Sequence, residues 1–286
     1  MSKYLNLNGE QIKADTPVLK HTNRVFCYGD GIFETIRCLN SKPLFFEKHY
    51  QRMRNALYHL KIELPAEFTE NYFRLHINKL LQRNRIYKGA RARLSVFRSE
   101  GGLYTPSNNV ASYLLTVDSI DTEEYTLNHT GLQIDIFTGL SKPLNFLSQF
   151  KTNNALLFVM AGLWKKEQNL DDCILMNQHG NIAETLASNI FFVMKDKIIT
   201  PSVESGCVDG TMRRTILEIA AKNNIAVLEV DNLTENHLSA ADEVFLSNAI
   251  SGINWIGAYK DKRYFHTLAS KLTNWLNLEA ENSLEE

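Results

Sequence analysis

The sequence predicts an α/β protein built as two domains. Three observations carry this. The chain has 286 residues, 44% of them hydrophobic, enough for two modest cores. Strand-like and helix-like stretches are mixed, without the regular alternation of a doubly wound sheet. One polar stretch, residues 119–129 ("SIDTEEYTLNH"), divides the chain and reads as a linker between domains 1–118 and 130–286.

In the first half, Tyr4, Leu5 and Leu7 precede Asn8-Gly9, a hairpin turn signal. Ile32–Leu39 reads as a strand, "NSKP" (40–43) as a turn, and Leu44–Phe46 as the start of the return strand. Glu47–Leu60 reads as a helix, with Met53, Ala56, Leu57 and Leu60 at helical spacing. A second helix is expected from about Glu67 to Gln82, followed by strands over Ala90–Arg98 and Ala111–Asp118. The second half opens on the alternating Leu132–Phe137 strand. A helix follows Lys151 to about Lys166. Strands over Cys173–Asn177 and Asn189–Met194 come next, then a turn and short strand in "KDKIITP". "GTMRRTILEIAAKNN" is a helix entered from a glycine. Two strands and an amphipathic helix from His266 end the chain.

Composition excludes some classes. With Lys+Arg 31 against Asp+Glu 32, the net charge is -1, which offers no basic footprint for nucleic acid or an anionic membrane. Cys27, Cys38, Cys173 and Cys207 form no CxxC pair and no metal-like spacing, so reduced thiols are expected. The start lacks a long apolar run, and no stretch approaches the roughly 18 apolar residues of a membrane span. A cytoplasmic protein is expected.

Four places carry candidate chemistry. Lys151, in "LNFLSQFKTNNALLFVM", lies between apolar stretches. Burial there would favour the neutral amine, a nucleophile able to form a Schiff base. The alternative is a lysine at a helix start with its head in water. Glu184, in "GNIAETLASNIFF", reads as a carboxylate in a turn beside an apolar strand. It could hold a pyridinium nitrogen protonated or be a plain surface residue. In "GCVDGTMRRTIL", Gly210 precedes a helix whose first amides belong to Thr211 and Met212. That is an anion site, or merely a tight entry into a helix. Arg52, in "KHYQRMRNAL", could clamp a phosphate, or share a solvated basic face with Arg54.

Their order and spacing add what no single residue does. "YGDGIFETIR", the "KTNN" lysine, "GNIAETLASNIFF" and "TP…GCVDGTMRR" together resemble the class IV aminotransferases, the fold-type IV pyridoxal-phosphate enzymes, over about residues 3–260. The resemblance implies a two-domain, D-amino acid aminotransferase-like fold, with the cofactor lysine assigned to the C-terminal domain. It implies pyridoxal 5′-phosphate bound to Lys151, with Glu184 on the pyridine nitrogen. Arg52, in an H-x-x-R pattern after His49, would bind the phosphate. Thr211 and Met212 would add backbone amides, and Val208 would pack on the ring. Ala249, in "LSNAIS", stands where many relatives have a threonine, so only its backbone could contribute. Phe33 matches a position lining the substrate pocket. Arg37 either faces substrate or is structural. A homodimer acting on amino acids and 2-oxo acids is implied.

Three activities share that scaffold. The loop Ser99–Asn109, "SEGGLYTPSNN", has no Arg or His, unlike the carboxylate trap of the D-amino acid enzymes. "FETIRC" resembles the branched-chain transaminases, although Leu156 stands where these usually have a tyrosine. "RSEGGLY", "GTMR" and "SNA" are similar to aminodeoxychorismate lyases, and Thr35 matches a threonine used in lyase chemistry. Leu103 replaces an expected arginine. The expectation is an aminotransferase, with the lyase as the alternative. A non-catalytic binding module on this scaffold is disfavoured because Lys151 and Glu184 are both present.

Overall fold

The structure is a computed structural model and describes residues 2–285. The chain forms two compact units. Unit 1 comprises Met1–Glu124, Phe150–Asn154 and Ala280–Glu286, and unit 2 comprises Tyr125–Gln149 and Ala155–Glu279.

Unit 1 is a six-stranded antiparallel sheet with helices packed on it. Its strands are β1 (Tyr4–Leu7), β2 (Glu10–Lys13), β3 (Gly31–Leu39), β4 (Lys42–Pro43), β5 (Ala90–Arg98) and β6 (Ala111–Ser119), in the order β2-β1-β6-β5-β3-β4. Asn8 (φ 49°) and Gly9 (φ 94°) turn the β1–β2 hairpin, as the Asn-Gly pair predicts. Helices α1 (Arg24–Tyr28), α2 (Phe46–His59) and α3 (Glu70–Arg83) complete the unit. β3 and β5 pair in register from Gly31–Phe97 to Cys38–Ala90. Ile32, Ile36 and Cys38 of β3 pack with Phe46, Met53, Ala56 and Leu57 in one core.

The expected return strand at Leu44–Phe46 is corrected. The ladder with β3 covers Lys42–Pro43, Leu44 still donates its N–H to Arg37 O at 2.9 Å, Phe45 turns with φ 50°, and Phe46 already starts α2. Leu44 and Phe46 are apolar because they plug the core, and a short apolar run does not tell a plug from a strand.

Unit 2 is a nine-stranded mixed sheet. Its strands are β7 (Leu132–Lys142), β8 (Asp172–Asn177), β9 (Ile182–Thr185), β10 (Asn189–Met194), β11 (Lys197–Pro201), β12 (Val227–Val230), β13 (Glu243–Asn248), β14 (Gly252–Tyr259) and β15 (Lys262–Arg263). The order is β12-β11-β10-β13-β14-β7-β8-β9, with β15 on β14. The helices are α4 (Leu156–Glu167), α5 (Thr211–Lys222), α6 (Glu235–Ala240) and α7 (Thr267–Glu285), the last ending in the part assigned to unit 1. β7 runs five residues past its alternating start, through a register shift between Phe137 and Lys142.

The sequence places the linker at 119–129 and Lys151 in the C-terminal domain. The compact units divide between Glu124 and Tyr125, inside that stretch, and Phe150–Asn154 falls in unit 1. Backbone bonds explain the second point. Phe33 donates its N–H to Lys151 O at 2.9 Å, and Asn153 donates to Gly31 O at 3.0 Å. Among the described residues no helix is long and apolar enough to cross a membrane.

Candidate active site

The candidate residues fall into two groups, one in each unit. In unit 1, Lys151 lies in a short extended segment that bridges β3, with Thr152 opposite Ile32. The bridge fixes its backbone. Its side chain is half-buried rather than enclosed. Nζ lies 4.9 Å from the centre of the Phe33 ring. On the other strand, the Arg93 guanidinium sits 3.8 Å from the same ring centre. Alternation puts Phe33, Thr35 and Arg37 on one face of β3, and the register sets Thr35 beside Arg93. Arg93 makes no ion pair among the described residues. Burial, with the Arg91 charge, pushes its guanidinium down from the usual arginine range.

The opposite face of β3 carries Glu34, which α2 covers. His49 and Arg52, one turn apart on that helix, reach it together. Arg52 donates Nε–H to Oε1 at 2.9 Å and Nη2–H to Oε2 at 2.5 Å, while His49 Nδ1 lies 2.7 Å from Oε2. All three are buried. Burial alone would raise the Glu34 carboxyl, but the Arg52 charge and the His49 hydrogen bond overcome it and hold it at about 2. Burial pushes the His49 imidazole down, against the pull of Glu34 and helped by the charges of Arg52 and Lys151. A neutral ring with its Nδ1–H toward Glu34 satisfies both groups. The solvated-face alternative therefore fails for Arg52, while Arg54 is exposed. Arg37 is buried and donates Nη2–H to Thr122 O (2.9 Å), Thr122 Oγ1 (3.1 Å) and Glu124 O (2.8 Å). Those bonds tie it to the chain where unit 1 ends.

In unit 2, Glu184 is not in a turn, as its sequence suggests, but inside β9. All four residues of β9 are buried, and such a short strand shows no alternation to read. Its Oε1 pairs with Lys142 Nζ, and its Oε2 accepts the Val208 N–H at 2.8 Å. The Val208 carbonyl in turn accepts from Asn189 Nδ2 at 2.8 Å. Thr211 and Met212 open α5 and are buried. Gly210 is the residue before them. A Cβ there would collide with Asn189 Oδ1, so only glycine lets the chain enter α5 this closely. The N-cap is Gly210, which has no side chain to offer, and the first turn of the helix holds no acid. Ala249 lies after β13, and its carbonyl accepts from the Tyr125 hydroxyl at 3.2 Å.

Two polar groups test whether a phosphorylated, polar-ringed cofactor suits these residues. Ser247 Oγ, on β13 against which α5 packs, is buried with no hydrogen-bond partner among the described residues. Asn153 Nδ2, two residues from Lys151, is in the same state. Such groups are costly unless something else satisfies them. With a glycine N-cap before α5 and a buried carboxylate they fit such a group. Among the described residues there is no cluster of three His, Cys, Asp or Glu that could hold a metal ion.

Sequence reasoning passed over Arg93, Lys142, Glu34 and Asn189. "ARAR" places Arg91 and Arg93 on one strand face, but only the pairing register puts Phe33 and Thr35 beside Arg93.

Comparison with known proteins matches residues 31–258 to the family model described as Amino-transferase class IV. The chain is 26% identical over 232 residues to branched-chain-amino-acid aminotransferase-like protein 2 of Arabidopsis thaliana, covering 79% of this chain but only 40% of that protein. It is 29% identical over 251 residues to the aminodeoxychorismate lyase of Bacillus subtilis, covering 85% of this chain and 82% of the lyase. In fold it is similar to the T.th. branched-chain amino acid aminotransferase solved with pyridoxamine 5′-phosphate, with TM-score 0.88, 20% identity, and coverage of 98% and 95% of the two chains.

Proposed function

Since the chain belongs to the class IV aminotransferase family, a pyridoxal 5′-phosphate-dependent family of enzymes, we propose that it transfers an amino group between an amino acid and a 2-oxo acid. The observation that most supports this is the placement of Lys151. Backbone bonds to β3 fix its main chain, and its amine and the Arg93 guanidinium each lie over the Phe33 ring, Arg93 making no ion pair among the described residues.

Bound pyridoxal 5′-phosphate supplies an electron sink for negative charge at the substrate carbon that carries the amino group. Lys151 is the residue proposed to hold it covalently and, once displaced by the substrate amine, to carry a proton to and from that carbon. Glu184 is proposed to accept the hydrogen bond of the ring nitrogen, and Val208 to pack on the ring. Thr211 and Met212 amides, the Ala249 backbone and Arg52 are proposed to hold the phosphate. Glu34 then acts on Arg52, fixing one edge of the guanidinium. Phe33 and Thr35 are proposed to line the substrate pocket, and Arg93 to bind a substrate carboxylate. Arg37, whose Nη2 donates to Thr122 and Glu124, is assigned a structural part rather than one in the chemistry.

The second reading, cleavage of aminodeoxychorismate to pyruvate and 4-aminobenzoate, is favoured by the lyase relative, which aligns over most of both chains. It assigns Thr35 a part in the proton transfer. A homodimer in the cytoplasm is proposed as well. Leu156, Val159, Met160 and Leu163 form an exposed i, i+3, i+4, i+7 stripe on α4, the kind of face a second copy would cover.

Two measurements test the reading. Borohydride reduction of the cofactor-loaded protein, followed by peptide mapping, is expected to find the label on Lys151. Label on Lys142 instead would overturn the assignment. Single amino acids and aminodeoxychorismate, supplied in parallel, separate the two reactions by their products: a keto acid, or pyruvate with 4-aminobenzoate.

A further inference from the structure

Lys142 ends β7, nine residues before Lys151, and is buried with its ammonium paired to Glu184 Oε1. The Phe158 ring centre lies 5.8 Å from Nζ. β7 and β9 flank β8, so the lysine and the carboxylate meet across one intervening strand. Burying both charges costs desolvation, and an apolar pair of similar volume could fill the space. Packing alone therefore does not account for an ion pair there.

We propose that Lys142 is a positioning residue that fixes the plane and balances the charge of Glu184, so that this carboxylate takes a hydrogen bond from a protonated ring nitrogen without removing its proton. The proposal rests on the reading of Glu184 as the pyridine partner. An ionised carboxylate has about four lone-pair sites. The Lys142 ammonium occupies one on Oε1 and the Val208 amide occupies one on Oε2. Held at both oxygens, the group does not rotate, and each oxygen keeps one direction for a further donor. The ammonium also neutralises most of the carboxylate's charge. Without it, the buried carboxylate has no counter-charge at Oε1, and a proton shared with the ring nitrogen moves to that oxygen. Val208 links this arrangement to α5, since its carbonyl is bonded to the Asn189 side chain that packs at Gly210.

The experiment uses the full-length protein as wild type, Lys142→Met, Lys142→Arg, Glu184→Gln and the Lys142→Met/Glu184→Gln double variant. Each is loaded with pyridoxal 5′-phosphate labelled with ¹⁵N in the ring. The ¹⁵N signal reports where the ring proton sits, and titration of the apo-protein reports cofactor affinity. Wild type and Lys142→Arg are expected to show the protonated nitrogen. Lys142→Met is expected to move toward the unprotonated signal and to weaken cofactor binding roughly 10- to 100-fold, the scale of one charge-assisted bond. The double variant is expected to match Glu184→Gln, because Lys142 acts through that carboxylate. A wild-type signal and affinity in Lys142→Met, with Glu184→Gln altered, overturns the role of Lys142 and leaves Glu184 as the partner. An added effect of Lys142→Met in the Glu184→Gln background also overturns it, showing a packing role. A wild-type signal in Glu184→Gln overturns the Glu184 reading itself. Should Lys142→Met fail to fold, Lys142→Gln, which keeps a donor without the charge, takes its place with the same outcomes.

Discussion

At the scale of single residues, the same side-chain type is used in different ways according to what faces it. Arg52 and Arg37 are buried arginines whose N–H groups go to a carboxylate and to backbone carbonyls respectively. Arg93 has neither and lies on a ring. Arg93→Ala is expected to raise the KM of a carboxylate substrate roughly 10- to 100-fold with a smaller change in kcat, the loss of one charge-assisted bond. An unchanged KM in steady-state assays would remove it from the pocket. Glu34 gives a pH-dependent prediction. Its carboxyl is held at about 2, below its ordinary 4.5, so it contributes stability that is present above 4.5 and lost as the pH falls toward 2. A shift of that size is worth about 3 kcal/mol. Glu34→Gln also leaves Arg52 without its buried counter-charge. The variant is expected to melt well below wild type at pH 7, with the gap narrowing as the pH is lowered from 4.5. A constant gap across that window, measured by thermal unfolding, would contradict the ion-pair account.

At the scale of elements, β3 divides the chemistry between its two faces. Glu34 faces α2, while Phe33 and Thr35 lie on the face that carries Arg93. The motif that spends glycines on Gly29 and Gly31 follows from close approach. A Cβ at Gly31 would lie 2.6 Å from Val96 O, and one at Gly29, where φ is 63°, would lie 2.8 Å from Asn154 Oδ1. The second element is the entry to α5. Gly210→Ala is expected to lose about 1–3 kcal/mol of stability through overpacking. Asn189 is not free to yield without giving up its bond to Val208. The variant is also expected to bind pyridoxal 5′-phosphate more weakly, because the first turn of α5 moves. Wild-type melting and affinity together would show that the contact relaxes at no cost.

For the whole chain, the two units are each built around one sheet. A dimer is tested on α4. Val159→Asp with Leu163→Glu is expected to shift the sedimentation coefficient from dimer toward monomer without unfolding either sheet. An unchanged coefficient would assign the apolar stripe some other use.

From the sequence alone came the α/β class, most strands and helices, and the proposal that Lys151, Glu184, Arg52, Thr211 and Met212 serve one site. These were legible because periodicity and turn chemistry are local, and because the order of several motifs along a chain is far more specific than any one of them. Three things were decided only by tertiary structure. Burial on both faces made β9 a strand around Glu184, where its four residues carry no alternation. Strand register set Thr35 beside Arg93, a contact across dozens of residues that no local pattern encodes. Pairing across β8 brought Lys142 onto Glu184. Each is a long-range meeting of side chains, and the physical reason is common to them. A charge is tolerated in the interior only beside its partner, and the partner's address is set by the fold of the sheet rather than by sequence spacing.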